Sequence, residues 1–427
     1  SRRPIPIGSS LRRPGPSLQI VLLAMMGMAR LSALFLVLLP FLVSCHAAAK
    51  DLDIGRDMVS IVESRGYSIE RHFATTPDGY VLGMFRMPRG KAEGNASTNG
   101  KPVVYLNHAL LDSSWAFVCN GPGMSLGFIL ADAGYDVWFG NNRGNVYSTN
   151  HTTLSVDSAE FWNFSFDEMA LVDLPTHIEY VLGGTGAKSL SYIGHSQGSI
   201  QAFAGFSRNQ TLAAKVDLFI AMAPVVFVHH QESLILKLMF SLGADMVFQL
   251  LGVRQFLTTK TGITKLGSWI CGRTPGICDD VLELIVGPGH HLNKTRIDVF
   301  VSETPAGTSV KNMVHWGQGM RSEVFQMYDY GPTGNMAQYN QTEPPQYHLG
   351  DLQVPIALLT GGLDYLADPQ DVSALIAALP PKVLRKHMNL PDYAHLDFTW
   401  AQDAHVFLYP EILQLLAATH QTVDIFV

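Results

Sequence analysis

The chain has 427 residues, of which 47% are hydrophobic and 15% charged, and its net charge is −7. Such a balance can bury one large core or two smaller ones and excludes global disorder. It also lacks the basic surplus that binding to a phosphate backbone requires, so no nucleic-acid partner is expected.

Residues 1–49 stand apart. They carry Arg2, Arg3, Arg12, Arg13 and Arg30 and no acidic residue, with an apolar run over 31–43 followed by Ala47, Ala48 and Ala49. A basic start, a short apolar centre and small residues before a cut read as a signal peptide starting at Met25, Met26 or Met28. A retained membrane anchor competes with this reading, because residues 18–43 hold one charge and exceed the roughly 18 residues that mark a span. Pro40 and the alanines favour cleavage. The leader takes five of the 29 basic residues and none of the 36 acidic ones, which moves the net charge to −12. Lysosome lumen and extracellular space are the expected locations.

Past the leader, short β-rich apolar runs alternate with helical stretches, the pattern of a mostly parallel sheet flanked by helices. Strands are predicted at 103–106, 135–139, 190–193, 219–221, 354–359 and 383–390. Helices are predicted at 124–133, 166–181, 199–206 and 369–379, from apolar spacing and acids near their starts. Residues 228–350 break the alternation with helical character and many Gly and Pro breaks. We read them as a cap inserted between two parts of one core, 50–227 and 351–427, with a lid at about 255–290. The apolar run 234–251 contains Lys237, Ser241 and Asp245, and reads as a cap helix packed on the sheet domain rather than a membrane span.

Cys119, Cys271 and Cys278 lie beyond the leader, and in an oxidising compartment Cys271 and Cys278 are expected to close a small disulfide loop. Six Asn-x-Ser/Thr sequons fit passage through the secretory route. Glycosylation is expected at Asn95, Asn150, Asn209, Asn293 and Asn340; Asn163 is set aside because Phe161, Trp162, Phe164 and Phe166 suggest partial burial.

The strongest local signal is Gly194-His195-Ser196-Gln197-Gly198, placed directly after a predicted strand and before a predicted helix. This is the nucleophile elbow of an α/β-hydrolase fold, in which glycines flank a sharp turn that exposes a serine. Serine is a poor nucleophile at neutral pH and needs an imidazole to take its proton, and that imidazole needs a carboxylate to fix its tautomer. In this fold the order along the chain is serine, acid, histidine. Asp364 follows the predicted strand 354–359 and is chosen as the acid; Asp368, just before Pro369, reads as a helix cap. His395 follows the last predicted strand and is chosen over His387, His405 and His420. Backbone N–H groups of Gln197 and of Leu110, in the loop after strand 103–106, are the expected oxyanion donors, with His108 structural.

With these residues in place the chain resembles the acid lipase family of gastric and lysosomal lipases over nearly all of its mature length. The likeness includes Thr76-Pro77-Asp78-Gly79, residues 126–138, Phe164-Ser165-Phe166-Asp167-Glu168-Met169, and Pro305-Ala306-Gly307-Thr308-Ser309-Val310. It continues through Asn312-Met313-Val314-His315-Trp316, residues 367–372 and His395-Leu396-Asp397-Phe398. The resemblance implies a Ser196, Asp364, His395 triad, donors at Leu110 and Gln197, a capped site with a mobile lid, and no cofactor or metal. It implies a lipid ester as substrate, met at a lipid–water interface, with no obligatory protein partner. The sequence departs from the family at Ala109, usually Gly, and at Asn142, usually Ser.

Three other readings compete. A non-catalytic binding protein could keep the fold without its chemistry, against which the joint retention of Ser196, Asp364 and His395 argues. An acyltransferase would use the same acyl-enzyme. Metal hydrolysis through His229-His230 or His290-His291 is disfavoured, because adjacent side chains diverge.

Overall fold

The computed structural model describes residues 51–94, 96–241, 252–257 and 263–423; the predicted leader and Asn95 lie outside the described residues. Helix α1 (Met58–Ser64) starts on the carboxylate of Asp57, which accepts the Ser60 N–H. An antiparallel hairpin follows, β1 (Glu70–Thr75) with β2 (Tyr80–Met87), which the sequence reading omitted. Its turn is Thr76-Pro77-Asp78-Gly79: the Gly79 N–H donates to the Thr76 carbonyl, the Tyr80 N–H to the Thr76 hydroxyl, and Gly79 sits at φ 98°. Pro, Asp and Gly each suit such a turn for its fixed φ, its local acceptor and its tolerance of positive φ.

The body of the chain then alternates: β3 (Val103–Asn107), α2 (Leu126–Asp132), β4 (Asp136–Phe139), β5 (Asn150–His151), α3 (Leu174–Thr185), β6 (Leu190–His195), α4 (Gln197–Arg208) and β7 (Val216–Met222). After the insert come β8 (Ile356–Gly361), α11 (Pro369–Ala378), β9 (Leu384–Leu390) and α12 (Tyr409–Val423). The strands make one sheet in the order β1-β2-β4-β3-β6-β7-β8-β9, with β5 also on β2; from β4 to β9 all neighbours are parallel. This is the expected α/β architecture.

The strands read as unbroken apolar runs because both faces of the sheet are covered. Val104, Leu106, Ile193, Ile220 and Leu359 enter one core with α2 and α12, whereas Val103, Tyr105, Tyr192, Phe219 and Leu358 enter the other with α3 and α4. The predicted helix 166–181 is interrupted by a π-turn over Met169–Asp173, ahead of Pro175. Ser165 and Glu168 form a capping box at its start, which accounts for the Phe164–Met169 motif.

The insert supplies α5 (Leu234–Ser241), α6 (Ile263–Cys271), α7 (Pro275–Val286), α8 (Ile297–Glu303), α9 (Val310–Met320) and α10 (Gly331–Tyr339). A two-stranded ribbon pairs Gln255–Phe256 with Thr308–Ser309. Cys271 and Cys278 are disulfide-bonded, tying α6 to α7, and Cys119 is a buried free thiol. The run expected as a helix on the sheet domain becomes α5, which packs on α7 and leaves Leu234, Ile235 and Leu238 exposed; residues 242–251 lie outside the described residues. Among the described residues, no helix is long and apolar enough to cross a membrane.

Burial pushes the carboxyls of Asp112, Asp167 and Asp397 up to about 7. The unfolded chain would release those protons near pH 4, so between roughly pH 4 and 7 the folded state binds more of them. Their contribution to stability is present in acid and lost as pH rises through 7. Burial also holds the imidazoles of His177, His195 and His315 down to about 3, a contribution of opposite sign that is lost as pH falls below the unfolded value. Asp397→Asn keeps an acceptor for the Ala394 N–H and removes one titration. Its Tm measured near pH 5 and near pH 8 should lose part of the acid-side advantage seen in the wild type. An unchanged difference would mean that Asp397 is already ionised at pH 5.

Candidate active site

Ser196 occupies the turn between β6 and α4 with φ 53° and ψ −115°, a backbone conformation that side chains rarely adopt. Both flanking glycines are required by contact. A Cβ at Gly194 would lie 2.6 Å from the Gly198 carbonyl, and one at Gly198 would collide with the Asn107 carbonyl on β3. The turn is fixed by the Ser196 N–H donating to Met222 of β7 at 3.0 Å and by the Ser199 hydroxyl donating to the Ser196 carbonyl at 2.6 Å.

The side chains expected from sequence meet here. The Ser196 hydroxyl lies 2.7 Å from His395 Nε2, and His395 Nδ1 lies 2.9 and 2.8 Å from the two oxygens of Asp364. Nδ1–H therefore donates to the carboxylate, and Nε2 is left to accept from the hydroxyl. Asp364 also accepts the N–H groups of Leu366 and Ala367, at 2.9 and 2.8 Å, so its orientation is set by its own loop. All three side chains are buried. Such a line can draw the proton from the hydroxyl as its oxygen attacks an electrophilic carbon.

The residues set aside lie elsewhere. Asp368 accepts the Gln370 N–H at 2.7 Å and caps α11; His387 is on β9 against Thr360, and His405 is on the turn Ala404–Phe407.

Leu110 lies in the loop after β3, and Gln197 directly follows the serine. Gln197 is the first residue of α4, where a backbone N–H has no intrahelical acceptor. Leu110 precedes Leu111, held at φ 59° in a turn closed by the Asp112 N–H on the Ala109 carbonyl. His108 anchors this loop: Nδ1–H donates to the Ala109 carbonyl at 2.8 Å, and Nε2 accepts from the Asn142 N–H and from Asn145 Nδ2. Burial holds His108 down to about 4, so it stays neutral in mild acid. The Asn142 and Asn145 loop is pinned in turn by Arg143, buried between Asp173 and Asp78 over the Tyr80 ring.

Two positions were missed. His195, the variable residue of the elbow, donates from Nε2 to the His395 carbonyl at 3.0 Å and stacks on Phe398; its presence next to the serine was the available signal. Val286, at the end of α7, accepts the N–H groups of both Tyr365 and His395 through its carbonyl, each at 3.3 Å, and nothing in its side chain announces that. Among the described residues, no group of three His, Cys, Asp or Glu is placed to hold a metal ion. His230 and His291 each pair with a separate carboxylate, Asp371 and Asp403.

Of the sequon asparagines, Asn150, Asn209 and Asn340 are exposed. So is Asn163: its aromatic neighbours Phe161, Trp162 and Phe164 turn inward while the asparagine faces out, contrary to the expected burial. Asn293 is buried, with Nδ2 donating to Asn120 at 3.1 Å and Oδ1 accepting from Thr295 at 2.6 Å, an arrangement that opposes the glycosylation expected there.

Residues 58–121 match a family model described as a partial alpha/beta-hydrolase lipase region, and residues 102–259 match the alpha/beta hydrolase fold. Gastric triacylglycerol lipase of Homo sapiens is 44% identical over 356 residues, spanning 82% of this chain and 88% of that protein. Lysosomal acid lipase/cholesteryl ester hydrolase of Homo sapiens is 40% identical over 372 residues, spanning 86% of this chain and 92% of that protein. Among solved structures, a soluble variant of monoglyceride lipase from Saccharomyces cerevisiae shares the fold, with TM-score 0.50 and 17% identity over 82% of this chain and 95% of that one. On its sequence identity over most of its length and on its fold, the chain belongs to the acid lipase family of α/β-hydrolases.

Proposed function

We propose that this chain hydrolyses carboxylic esters of lipids, triacylglycerols or sterol esters, through an acyl-enzyme on Ser196. The observation that carries the reading is the unbroken hydrogen-bonded line from the Ser196 hydroxyl through His395 to Asp364, set on a strained elbow. His395 takes the serine proton as the oxygen adds to the ester carbonyl, and returns it to the departing alcohol. Asp364 holds the imidazolium that forms. The N–H groups of Leu110 and Gln197 receive the carbonyl oxygen as it becomes negative. Water, deprotonated by His395, then releases the fatty acid. The relatives' names, which cover triacylglycerols and cholesteryl esters, support this substrate class, and the Cys271–Cys278 bridge supports a lysosomal or extracellular setting.

The cap is proposed to carry a lid that opens at a lipid surface. Exposed Leu234, Leu238, Leu266, Trp269 and Ile277 lie on α5, α6 and α7, of which α7 packs on both others, and exposed Leu257 ends the 252–257 segment, a composition suited to a lipid interface. Phe256, at the start of the expected lid, is half-buried against Val310, Val314 and Tyr328 and serves as an anchor. The Val286 carbonyl ties the end of α7 to the His395 and Tyr365 loops, so movement is proposed to pivot there rather than at residue 290.

Ser196→Ala should abolish cleavage of trioleoylglycerol, a cholesteryl ester and p-nitrophenyl butyrate without lowering Tm; retention of more than a few per cent would exclude Ser196 as nucleophile. Asp364→Asn should cut kcat by about 10³–10⁴-fold, while Asp368→Ala should cost about 1 kcal/mol of stability and little turnover. The opposite ranking would move the acid to Asp368.

Paired Cys271→Ala and Cys278→Ala changes should lower the rate on emulsified trioleoylglycerol far more than on soluble p-nitrophenyl butyrate. Equal loss on both substrates would mean a fixed cap.

A further inference from the structure

Two insert motifs, residues 305–310 and 312–316, have no part in the chemistry above, yet they reach both the Leu111 turn and the residue after the serine. The Ala306 N–H donates to the Leu111 carbonyl at 2.6 Å, and the Thr304 hydroxyl donates to Asp112 at 3.3 Å. Leu111 is the residue strained at φ 59°, directly after Leu110. Ser309 then starts α9 by accepting the Asn312 N–H, and the ribbon with Gln255–Phe256 fixes the approach. From α9, Asn312 Nδ2 donates to Gln197 Oε1 at 2.7 Å and Trp316 Nε1 donates to the same oxygen at 3.0 Å. Asn312 and Trp316 are spaced i and i+4, so one face of α9 presents both donors. The Gln197 side chain is buried, and its amide nitrogen reaches the Met169 sulfur at 3.6 Å.

We propose that the segment 304–316 is the brace of the oxyanion hole, holding the Leu110 turn through Ala306 and Gln197 through Asn312 and Trp316. This rests on the reading of Ser196 as nucleophile with Leu110 and Gln197 as donors. The need for a brace follows from the strain: with φ at 53°, Ser196 is strained by its ψ of −115°, and turning the peptide between Ser196 and Gln197 would carry ψ toward the left-handed well and swing the Gln197 N–H away. A side chain pinned at one oxygen by two donors resists that rotation. Donors act on a transition state only when they are fixed before it forms, and small misplacements cost orders of magnitude in rate. Asn312 and Trp316 touch no reacting atom, so they are positioning residues, and through them the cap sets the rate of the chemistry as well as access to it.

Trp316→Phe keeps the ring and removes one donor, and Asn312→Ala removes the other. Each variant, and the double variant, would be assayed on p-nitrophenyl butyrate and on its thiono analogue, with a serine-reactive phosphonate counting folded sites. Sulfur in place of the carbonyl oxygen accepts hydrogen bonds poorly, so the ester to thionoester ratio reads oxyanion stabilisation. Each single change should lower kcat on the ester by about tenfold, with KM within about threefold and the thionoester rate nearly unchanged. Parallel losses on both substrates, or no loss, would overturn the brace. Failure of the underlying reading is separate: Ser196→Ala would then retain activity. A wild-type enzyme that cleaves ester and thionoester alike would remove the oxyanion hole and the brace together.

Discussion

The closeness of α4 to β3 and β6 governs the site. Gly194 and Gly198 let the start of that helix rest against the Asn107 carbonyl, and any Cβ at either position would force the layers apart. The approach leaves Ser196 in a backbone state that costs on the order of 1–3 kcal/mol by itself. It is offset locally by the Met222 and Ser199 bonds, and beneath them by a buried polar network in which Asn107 Nδ2 donates to Tyr192 and Gln201. Moving the helix outward would undo these together, so one contact distance sets the serine, the Gln197 N–H and the loop that carries Leu110.

A second layer of constraint is electrostatic. Arg143 has almost no contact with solvent, and it is tolerated because Asp173 and Asp78 take its donors while Tyr80 lies under its plane. Removing one partner from such a buried group typically costs about 3–5 kcal/mol, which makes the arrangement a specific lock rather than a general stabiliser. The lock fixes the 141–145 loop, that loop fixes neutral His108, and His108 fixes the Ala109 carbonyl. Departures at Ala109 and Asn142 fall inside this chain of contacts without breaking it. Ala109 is buried and keeps its hydrogen bond to His108.

Strands buried on both faces were legible because their residues are apolar throughout, and the meeting of Ser196, His395 and Asp364 was legible because the fold imposes an order on serine, acid and histidine. The hairpin was not. Glu70–Thr75 runs Glu-Arg-His-Phe-Ala-Thr at the sheet edge with only Ala74 buried, so no apolar run marks it. The π-turn before Pro175 left the apolar spacing of helix 166–181 largely intact and was equally silent. Asn163 misled because local aromatic density says that something is buried, not which side of the chain it is on. The reach of Ala306, Asn312 and Trp316 across the site is a long-range property that spacing within the insert does not encode.

Sheet order also sets a timetable for synthesis. Strands β1 to β7 can pair once Met222 has emerged, but β8 joins the open edge of β7 only after the whole insert has been made. At about 5–20 residues per second that interval is on the order of ten seconds, during which a central parallel strand stands unpaired along one edge. The Ser196 turn can form in that window, whereas Asp364 and His395 do not yet exist. The nascent chain thus carries a serine without its partners, and a truncation between Met222 and residue 395 yields a protein that can shape its elbow without ever closing its hydrogen-bonded line.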